Sequence, residues 1–248
     1  MADNNESCLL VRNVSFAYDN KYPVLYDLSF EAGSGETVGI AGANGAGKST
    51  LMKLLVGLET DFDGSIEICG INLDRRHLAA VRRHIGYVFQ DSDSQLFMTT
   101  VEEDVAFAPL NYGYSAEETK ERVENALKSV NAEHLAKKPV YRLSGGEKKL
   151  VSIATILSMT PEVILMDEPS SGLDPKNRRN LINIIRDLPG TKLIASHDMD
   201  LLWDTCSRIL LMNSGRIVYD GPAGELMHNE GLLAENDLEL PLSLQGRR

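Results

Sequence analysis

The chain has 248 residues, of which 43% are hydrophobic and 25% are charged, and its formal net charge is −11. This length suits one large α/β domain, or one domain with an inserted lobe. The acidic balance argues against a protein that binds the phosphate backbone of nucleic acids. No apolar run approaches the roughly 20 residues that cross a bilayer, and we expect no signal peptide at residues 1–13.

The cysteines and arginines do not indicate a site of their own. Cys8, Cys69 and Cys206 are scattered and odd in number. We therefore expect reduced thiols rather than a disulfide framework or a metal site. Four arginines cluster within residues 75–83, and we interpret them as a solvated helix face rather than a basic binding patch.

Apolar residues at strand and helix spacing predict alternating elements along most of the chain. The predicted strands are 8–14, 24–30, 36–41, 65–69, 85–89, 163–167 and 192–196. The predicted helices are 49–58, one following the capping box at 115–118, one from 144, 175–188 and 199–205. A turn is predicted at 33–35 and a hairpin near 213–215. Strands that alternate with helices imply a largely parallel sheet.

Residues 91–142 differ from the rest of the chain. They are acidic and poor in strand signals, and Ser115 with Glu118 forms a capping box that starts a helix. We interpret this segment as a helical lobe inserted into the α/β core.

Residues 42–50 read GANGAGKST and match the phosphate-binding pattern G-x-x-x-x-G-K-[ST]. A predicted strand precedes them and a predicted helix follows, which is the context that the motif requires. The backbone amides of such a loop face an anion, Lys48 reaches the β- and γ-phosphates, and the Ser49 hydroxyl ligates Mg²⁺. The predicted binding residues are Gly42, Asn44, Gly45, Ala46, Gly47, Lys48, Ser49 and Thr50.

Two carboxylates end the apolar strand at 163–167, where α/β sheets place their ligand sites. Asp167 is predicted to hold Mg²⁺, directly or through water. Glu168 can orient or polarise a water molecule that attacks the γ-phosphate. The alternative is a pair of ordinary solvated acids.

Residues 143–147 read LSGGE and predict a second anion-binding helix start. Ser144 is a natural N-cap, Glu147 completes a capping box, and the two glycines leave the helix start without side chains. Two such helix starts can bear on one nucleotide if two chains associate. Taken alone, the motif would indicate only an ordinary cap.

The motif set resembles that of the nucleotide-binding subunits of ABC transporters. The set consists of the phosphate-binding loop, Gln90, LSGGE, VILMDE at 163–168, SGLD at 171–174 and His197. The resemblance implies an α/β P-loop NTPase fold of the ABC ATPase type. Its core sheet is mostly parallel, with an N-terminal antiparallel β part and an inserted α-helical subdomain. The domain would span 1–248, with the core at 1–90 and 143–230, the helical subdomain at 91–142 and a tail at 231–248.

The resemblance also implies a role for each motif residue, with ATP and Mg²⁺ bound. Tyr18 would stack on adenine, Gln90 would sense Mg²⁺ and the attacking water, and Asp174 would lie at a dimer interface. Ser144, Gly145 and Gly146 would contact the γ-phosphate held by the partner subunit. His197 would hydrogen-bond that phosphate and support Glu168. One departure from the family pattern is Glu147, where glutamine is usual.

Each of these residues also has an ordinary structural interpretation. Tyr18 can be a half-buried strand aromatic, and Gln90 can be surface polarity. His197 can be a core histidine, and Asp174 can serve only as the N-cap before Pro175.

Residues 90–111 further resemble the ATPases of energy-coupling-factor importers, particularly the cobalt and nickel branch. That resemblance implies docking onto a transmembrane coupling subunit. Leu96 and Phe97 would form an apolar docking knob, unless they belong to the core of the lobe.

The expected function is ATP hydrolysis that drives uptake of cobalt, nickel or another micronutrient, with a vitamin as the alternative cargo. The expected partners are a second ATPase chain, identical or homologous, a transmembrane coupling subunit and a substrate-binding membrane subunit, without nucleic acid. The expected location is the cytoplasmic face of a bacterial or archaeal membrane. The rival interpretations are a soluble ABC-type regulator of nucleic acid or ribosomes, and a P-loop kinase that phosphorylates a small molecule.

Overall fold

The computed structural model describes residues 7–19 and 21–245, so the outermost parts of the predicted domain and tail lie outside the described residues. The described chain divides into two compact units. The first comprises the described residues up to Ile85, the segment Glu162–Glu168, and the described residues from Pro189 onward. The second comprises Gly86–Pro161 and Pro169–Leu188.

The strands follow one another in chain order. They are β1 (Ser7–Tyr18), β2 (Tyr22–Gly33), β3 (Thr37–Ala41), β4 (Asp63–Ile68), β5 (Ile71–Asn72), β6 (Ile85–Val88), β7 (Val163–Asp167), β8 (Thr191–Ser196), β9 (Arg208–Asn213) and β10 (Arg216–Pro222).

The helices alternate with these strands over most of the chain. The α-helices are α1 (Lys48–Leu55), α2 (Leu78–His84), α3 (Val101–Asn111), α4 (Ala116–Ser129), α5 (Gly145–Leu157), α6 (Pro175–Asp187), α7 (Met199–Thr205), α8 (Ala223–Leu226) and α9 (Glu230–Ala234). Short 3₁₀ helices lie at Ser92–Ser94, Glu133–Leu135 and Val140–Arg142.

The first unit contains an antiparallel sheet with the order β2-β1-β4-β5. Val11 of β1 pairs with Phe30 of β2 on one side and with Ile66 of β4 on the other. All three side chains are buried. This sheet is the N-terminal antiparallel part that the sequence predicts.

The same unit contains a mostly parallel sheet, in which neighbouring strands follow the order β10-β9-β3-β8-β7. β3, β8 and β7 run parallel, and nearly every residue in them is buried. Strands buried on both faces read as continuous apolar runs, which explains why these segments lack alternation. β10 alone is antiparallel to its neighbour β9, across the predicted hairpin.

The second unit is helical. α3, α4 and α5 pack on one another around buried apolar side chains that include Val105, Leu127 and Ile153. The predicted helical lobe, 91–142, lies inside this unit, which also takes in α5 and α6. β6 begins at the last residue of the first unit and ends in the second. Among the described residues, no helix combines the length and the apolar character that a membrane span requires.

Candidate functional site

Three parallel strands end at one edge of the sheet, and the phosphate-binding loop and two of the predicted catalytic residues follow those ends. Ala41, the last residue of β3, pairs with Ser196, the last residue of β8. Asp167, the last residue of β7, pairs with Ala195. The phosphate-binding loop, Glu168 and His197 therefore all begin at this edge, where α/β sheets bind ligands.

The phosphate-binding loop has a backbone that side chains would disrupt. Gly47, which precedes α1, has φ +104, a conformation that other residues rarely adopt. A Cβ atom at Gly42 would lie 2.5 Å from the carbonyl oxygen of Met212. Since the helix start carries no side-chain cap, its backbone amides can bind an anion. The backbone therefore fits a polyphosphate.

Lys48 is buried with its ammonium group turned toward the loop. Its Nζ donates to the carbonyl oxygens of Gly42, at 2.6 Å, and Ala43, at 3.2 Å. The same atom lies 3.6 Å from Oε1 of Glu168. Both side chains are less than a tenth exposed, so this ion pair lies in a poorly solvated position where charges interact strongly.

Glu168 is held by several donors. Its carboxylate accepts hydrogen bonds from the Ser196 hydroxyl, at 3.0 Å, and from the backbone amide of His197, at 3.1 Å. Nδ1 of His197 lies 2.9 Å from the same carboxylate. The Glu168 backbone has φ +44, an uncommon conformation for a residue with a side chain. Strained backbone of this kind concentrates at functional sites.

The side chains of Ser49 and Asp167 also suit a magnesium ion that is bound together with phosphates. α1 begins with Lys48 and Ser49 and packs against β7 and β8, so Ser49 and Asp167 belong to neighbouring elements. Among the described residues, no group of three or more His, Cys, Asp or Glu side chains could hold a metal ion. Mg²⁺ commonly takes one or two protein ligands and completes its shell with substrate phosphates and water. One hydroxyl and one carboxylate fit that pattern.

Tyr18 lies beside the first turn of α1. It is the last residue of β1 and is half-buried, and its hydroxyl lies 3.4 Å from the Thr50 hydroxyl. Its ring packs edge-on against Phe16, with centroids 4.8 Å apart. The structure therefore brings Tyr18 to the end of the phosphate-binding loop and leaves part of the ring exposed.

A cavity of about 480 Å³ opens next to the loop. It is lined by Asn44, His197, the segments 198–200 and 237–240, Leu242 and Gln245, among other residues. Asn44 and Gly45 are exposed, whereas Ala46 is buried. The carboxylate of Asp200 accepts the backbone amides of Leu242 and Ser243, which fixes the chain's last described turn beside α7.

In the second unit, Ser144 caps α5 as predicted. Its hydroxyl accepts the backbone N–H of Glu147, whose carboxylate accepts the backbone N–H of Ser144. Ser144 and Gly145 are exposed, so the helix start is open to a ligand or a partner. Lys138 donates to both carboxylate oxygens of Glu147, at 2.8 and 2.9 Å. The hydrogen bonds from Lys138, together with the one from the Ser144 backbone amide, hold the pKa of Glu147 below its ordinary value.

Asp174 caps α6, accepting the backbone amides of Lys176 and Asn177. The amide of Asn177 lowers the pKa of this carboxyl most. The Asn177 side-chain amide donates to the Asp174 carboxylate, at 2.6 Å. It also lies close to Gly146, because a Cβ atom added at Gly146 would be only 2.6 Å from the Asn177 side chain. Asn177 thus joins two of the predicted motifs within the second unit.

Gln90 is exposed, and its backbone is tied to α5. Nζ of the buried Lys149 donates to the carbonyl oxygens of Phe89 and Gln90. Gln95 accepts the backbone amide of Phe89 and donates to Ser152 and Thr155. These bonds hold the backbone of the segment and leave the Gln90 side chain at the surface.

The two residues of the predicted docking knob, Leu96 and Phe97, differ in their exposure to solvent. Leu96 is buried, so its predicted exposure on a knob is wrong, and it belongs to the core of the lobe. Phe97 is 64% exposed and packs edge-on against the half-exposed Phe107. Beside Phe107, a mostly apolar groove of about 980 Å³ lies between α3 and α4.

The structure divides the predicted site residues between the two units. Tyr18, the loop 42–50, Asp167, Glu168 and His197 belong to the first. Gln90, Ser144, Gly145, Gly146 and Asp174 belong to the second.

Sequence reasoning missed several residues that hold these side chains. They are Ser196, Lys138, Lys149 and Asn177. Only Asn177 carries a local signal, because it lies three residues after the cap Asp174. The others act through contacts across sequence separations that no local pattern encodes.

Comparison with known proteins gives consistent matches along the chain. A family model described as "ABC transporter" matches residues 25–171. An ABC transporter ATP-binding protein of Geobacter sulfurreducens is 46% identical over 236 residues, covering 95% of each chain. The energy-coupling factor transporter ATP-binding protein EcfA of Methanococcus maripaludis is 39% identical, covering 94% of this chain and 86% of that protein.

A solved structure extends the match to three dimensions. The cbiO1 protein of Clostridium perfringens, described as part of the ABC transporter complex cbiONQ, has a TM-score of 0.83 and 34% identity. It matches over 92% of this chain and 94% of its own.

Proposed function

The chain belongs to the ABC transporter family of ATP-binding proteins, which are ATPases, and on that premise we propose that it powers an energy-coupling-factor importer. The observation that carries the hydrolytic part of this proposal is the buried Glu168, held beside Lys48 at the edge from which the phosphate-binding loop leaves the sheet. Similarity to EcfA and cbiO1 supports the importer class.

We propose that Glu168 is the general base for hydrolysis. It accepts a proton from the water that attacks the γ-phosphorus, while ADP leaves with its β-phosphate oxygen. Ser196 and the backbone of His197 fix the carboxylate, and positioned bases of this kind accelerate proton transfer roughly 10²–10⁴-fold. When ATP binds, Lys48 exchanges its carbonyl partners for the phosphates.

His197 has two partners in this proposal, and they constrain its protonation. Its Nδ1 faces Glu168, so hydrogen bonding requires a proton on that nitrogen. If the other nitrogen also donates to the γ-phosphate, the ring must carry two protons. Both roles together therefore belong to the charged imidazolium.

The remaining motif residues complete the nucleotide site in the proposal. Tyr18 stacks on the adenine ring, and the loop residues 42–50 enclose the phosphates. Ser49, Gln90 and Asp167 would hold Mg²⁺, and the ion would supply positive charge that neutralises the β- and γ-phosphates.

We propose that two chains enclose two ATP molecules. Ser144, Gly145 and Gly146 of one chain contact the γ-phosphate on the loop of the other, and Asp174 lies at the interface. The exposed, serine-capped start of α5 supports this, since helix N-termini bind anions. The two chains are identical, or this chain pairs with a homologous ATPase.

The groove between α3 and α4 is proposed to dock the transmembrane coupling subunit. Phe107 and Leu110 present exposed apolar surface there, and the exposed Phe97 packs against Phe107. Exposed patches of this kind mark interaction sites. The groove is lined by four glutamates and two lysines, which favours an apolar helix with basic flanks. The chain would then lie on the cytoplasmic face of the membrane.

We propose that a membrane partner, rather than this ATPase chain, selects the cargo. We propose cobalt or nickel, since residues 90–111 resemble that branch of the family, with a vitamin as the alternative. The membrane subunit that binds the substrate would make the selection.

Affinity purification of the tagged chain from detergent-solubilised native membranes tests the proposal. Mass spectrometry should identify a transmembrane coupling subunit and a small substrate-binding membrane protein, whose ligand identifies the cargo. Recovery of ribosomes or DNA-bound proteins without membrane subunits would favour the soluble regulator and overturn the transport assignment.

A further inference from the structure

Two cysteines that are 61 residues apart in the sequence face each other at one end of the antiparallel sheet. Cys8 lies in β1, and Cys69 lies in the turn directly after β4. Leu9 of β1 pairs with Ile68 of β4, and one position further along, the Cys69 amide donates to the Cys8 carbonyl oxygen at 2.8 Å. Residues opposite each other in such a pair project to the same face. The two Sγ atoms lie 2.9 Å apart, and both residues are half-buried.

This geometry suits a disulfide bond. A disulfide needs two cysteines whose backbones lie side by side, and the backbone hydrogen bond between Cys69 and Cys8 holds them in that way. Closing the S–S distance from 2.9 Å to about 2.05 Å needs a movement of less than about 1 Å.

The surroundings make the two thiols chemically unequal. Either sulfur can donate the hydrogen bond between the two thiols. Donation from Cys69, opposed by burial, lowers the pKa of Cys8 to about 7. The Thr191 hydroxyl and His84 lower it further, whereas Glu162 raises it. Cys69, as the donor, has a pKa well above its ordinary value. With Cys69 as the donor, Cys8 is the nucleophile in the proposal that follows, because the thiolate is the reactive form.

We propose that Cys8 and Cys69 form a redox-active dithiol, which a low-molecular-weight disulfide such as oxidised glutathione converts reversibly to a cross-strand disulfide. The pair contains no residue of the nucleotide site. The proposal is therefore independent of the transport assignment.

The reaction proceeds by two thiol–disulfide exchanges. The Cys8 thiolate attacks one sulfur of oxidised glutathione, breaks its S–S bond and releases one glutathione thiolate. Cys69 then loses its proton and attacks Sγ of Cys8, releasing the second glutathione. Two protein thiols are oxidised and one glutathione disulfide is reduced to two thiols, and excess reduced glutathione reverses both steps.

The third cysteine provides an internal control. Cys206 is 7% exposed, and burial raises its pKa to about 12. It should stay reduced under conditions that oxidise the pair, since buried thiols in apolar surroundings are inert.

The test treats the full chain with oxidised glutathione at pH 7, quenches it with acid, and maps the cysteines by alkylation and peptide mass spectrometry. We expect one cross-linked Cys8–Cys69 peptide, a protein lighter by two hydrogens, and an unmodified Cys206. Free Cys8 and Cys69 after this treatment, or equal modification of Cys206, would overturn the proposal.

Two substitutions at Cys69 separate its roles. In Cys69→Ser the hydroxyl can still donate, so Cys8 should react readily but stop at the mixed disulfide with glutathione. In Cys69→Ala the donor is lost, and alkylation of Cys8 at pH 7 should be roughly fivefold slower than in Cys69→Ser. Circular dichroism verifies that both variants are folded. Equal alkylation rates in the two variants would contradict the assignment of Cys69 as donor.

Discussion

Glu168 illustrates how the fold places one carboxylate for chemistry. Its backbone follows β7 in a left-handed conformation, and its side chain meets donors from the end of β8. Because β7 and β8 are adjacent and parallel, residues at their ends are brought together whatever their separation along the chain. The buried Lys48 adds a positive charge 3.6 Å away.

The first prediction concerns Lys48. In Lys48→Ala we expect at least roughly 100-fold weaker ATP binding, because the charge-assisted contacts to the phosphates are lost. Unfolding should also become easier, by on the order of 3 kcal/mol, because a buried pair has lost one partner. Isothermal titration calorimetry and urea denaturation measure the two effects.

Lys53→Ala is the control, since Lys53 is exposed on the same helix. Unchanged ATP affinity in Lys48→Ala would contradict the assignment of Lys48 as a phosphate ligand.

The second prediction concerns Lys138, which offsets the unusual negative charge of Glu147. In Lys138→Met we expect ATP turnover to fall by roughly threefold to tenfold, because an unpaired carboxylate then lies at a helix start that should attract phosphate. Adding Glu147→Gln should restore turnover, as phosphate-release assays would report. Lys137→Met is the matched control, since Lys137 is an exposed neighbour paired with Glu102.

The double variant decides this prediction. If it remains as slow as Lys138→Met, then Lys138 acts through packing rather than through charge.

The ion pair between Lys138 and Glu147 in the wild-type protein should also be sensitive to acid. Because the folded state lowers the pKa of Glu147, the pair stabilises the protein above about pH 4.5, and that contribution disappears as the pH falls through the folded-state pKa.

At the scale of elements, the helix caps and the loop could be predicted from the sequence because their interactions are local. The capping boxes of α4 and α5 span four residues each and were confirmed. Element ends were less predictable. β1 continues to Tyr18 beyond its predicted end at 14, because register shifts interrupt the alternation. α1 ends at Leu55, before the predicted 58, where Gly57 turns with φ +68.

Contacts between distant elements could not be predicted from local patterns. Cys8 and Cys69 are far apart in the sequence, but the pairing of β1 with β4 makes them neighbours. Local patterns also do not show that Leu96 is buried whereas the adjacent Phe97 is exposed. Packing of the helical unit decides which of the two apolar residues faces inward.

The third prediction concerns the groove between α3 and α4. In Leu110→Asp we expect loss of the coupling subunit from affinity purifications, because a charge would lie in an apolar interface. ATP hydrolysis by the isolated chain should remain near the wild-type rate. Leu58→Asp is a matched control, since Leu58 is 52% exposed and Leu110 is 56% exposed, and Leu58 does not line the groove. Equal loss of the subunit in both variants would contradict the docking assignment.

In the whole molecule, ATP must change the association of two chains if its hydrolysis is to drive transport. A ligand shifts an equilibrium only if it binds one state more tightly than the other. The proposed sandwich supplies this difference, because the start of α5 would meet the γ-phosphate only in the closed dimer. ADP lacks that phosphate and should favour separation or opening.

The measurement that tests this account most directly is the mass of Glu168→Gln by size-exclusion chromatography with light scattering, in ATP and Mg²⁺. Replacing the proposed base should reduce turnover at least roughly 100-fold while leaving the phosphate-binding loop intact. We predict a stable ATP-bound dimer that is absent with ADP and absent when Lys48→Ala is added. A Glu168→Gln protein that stays monomeric in ATP and still hydrolyses it at the wild-type rate would contradict the account.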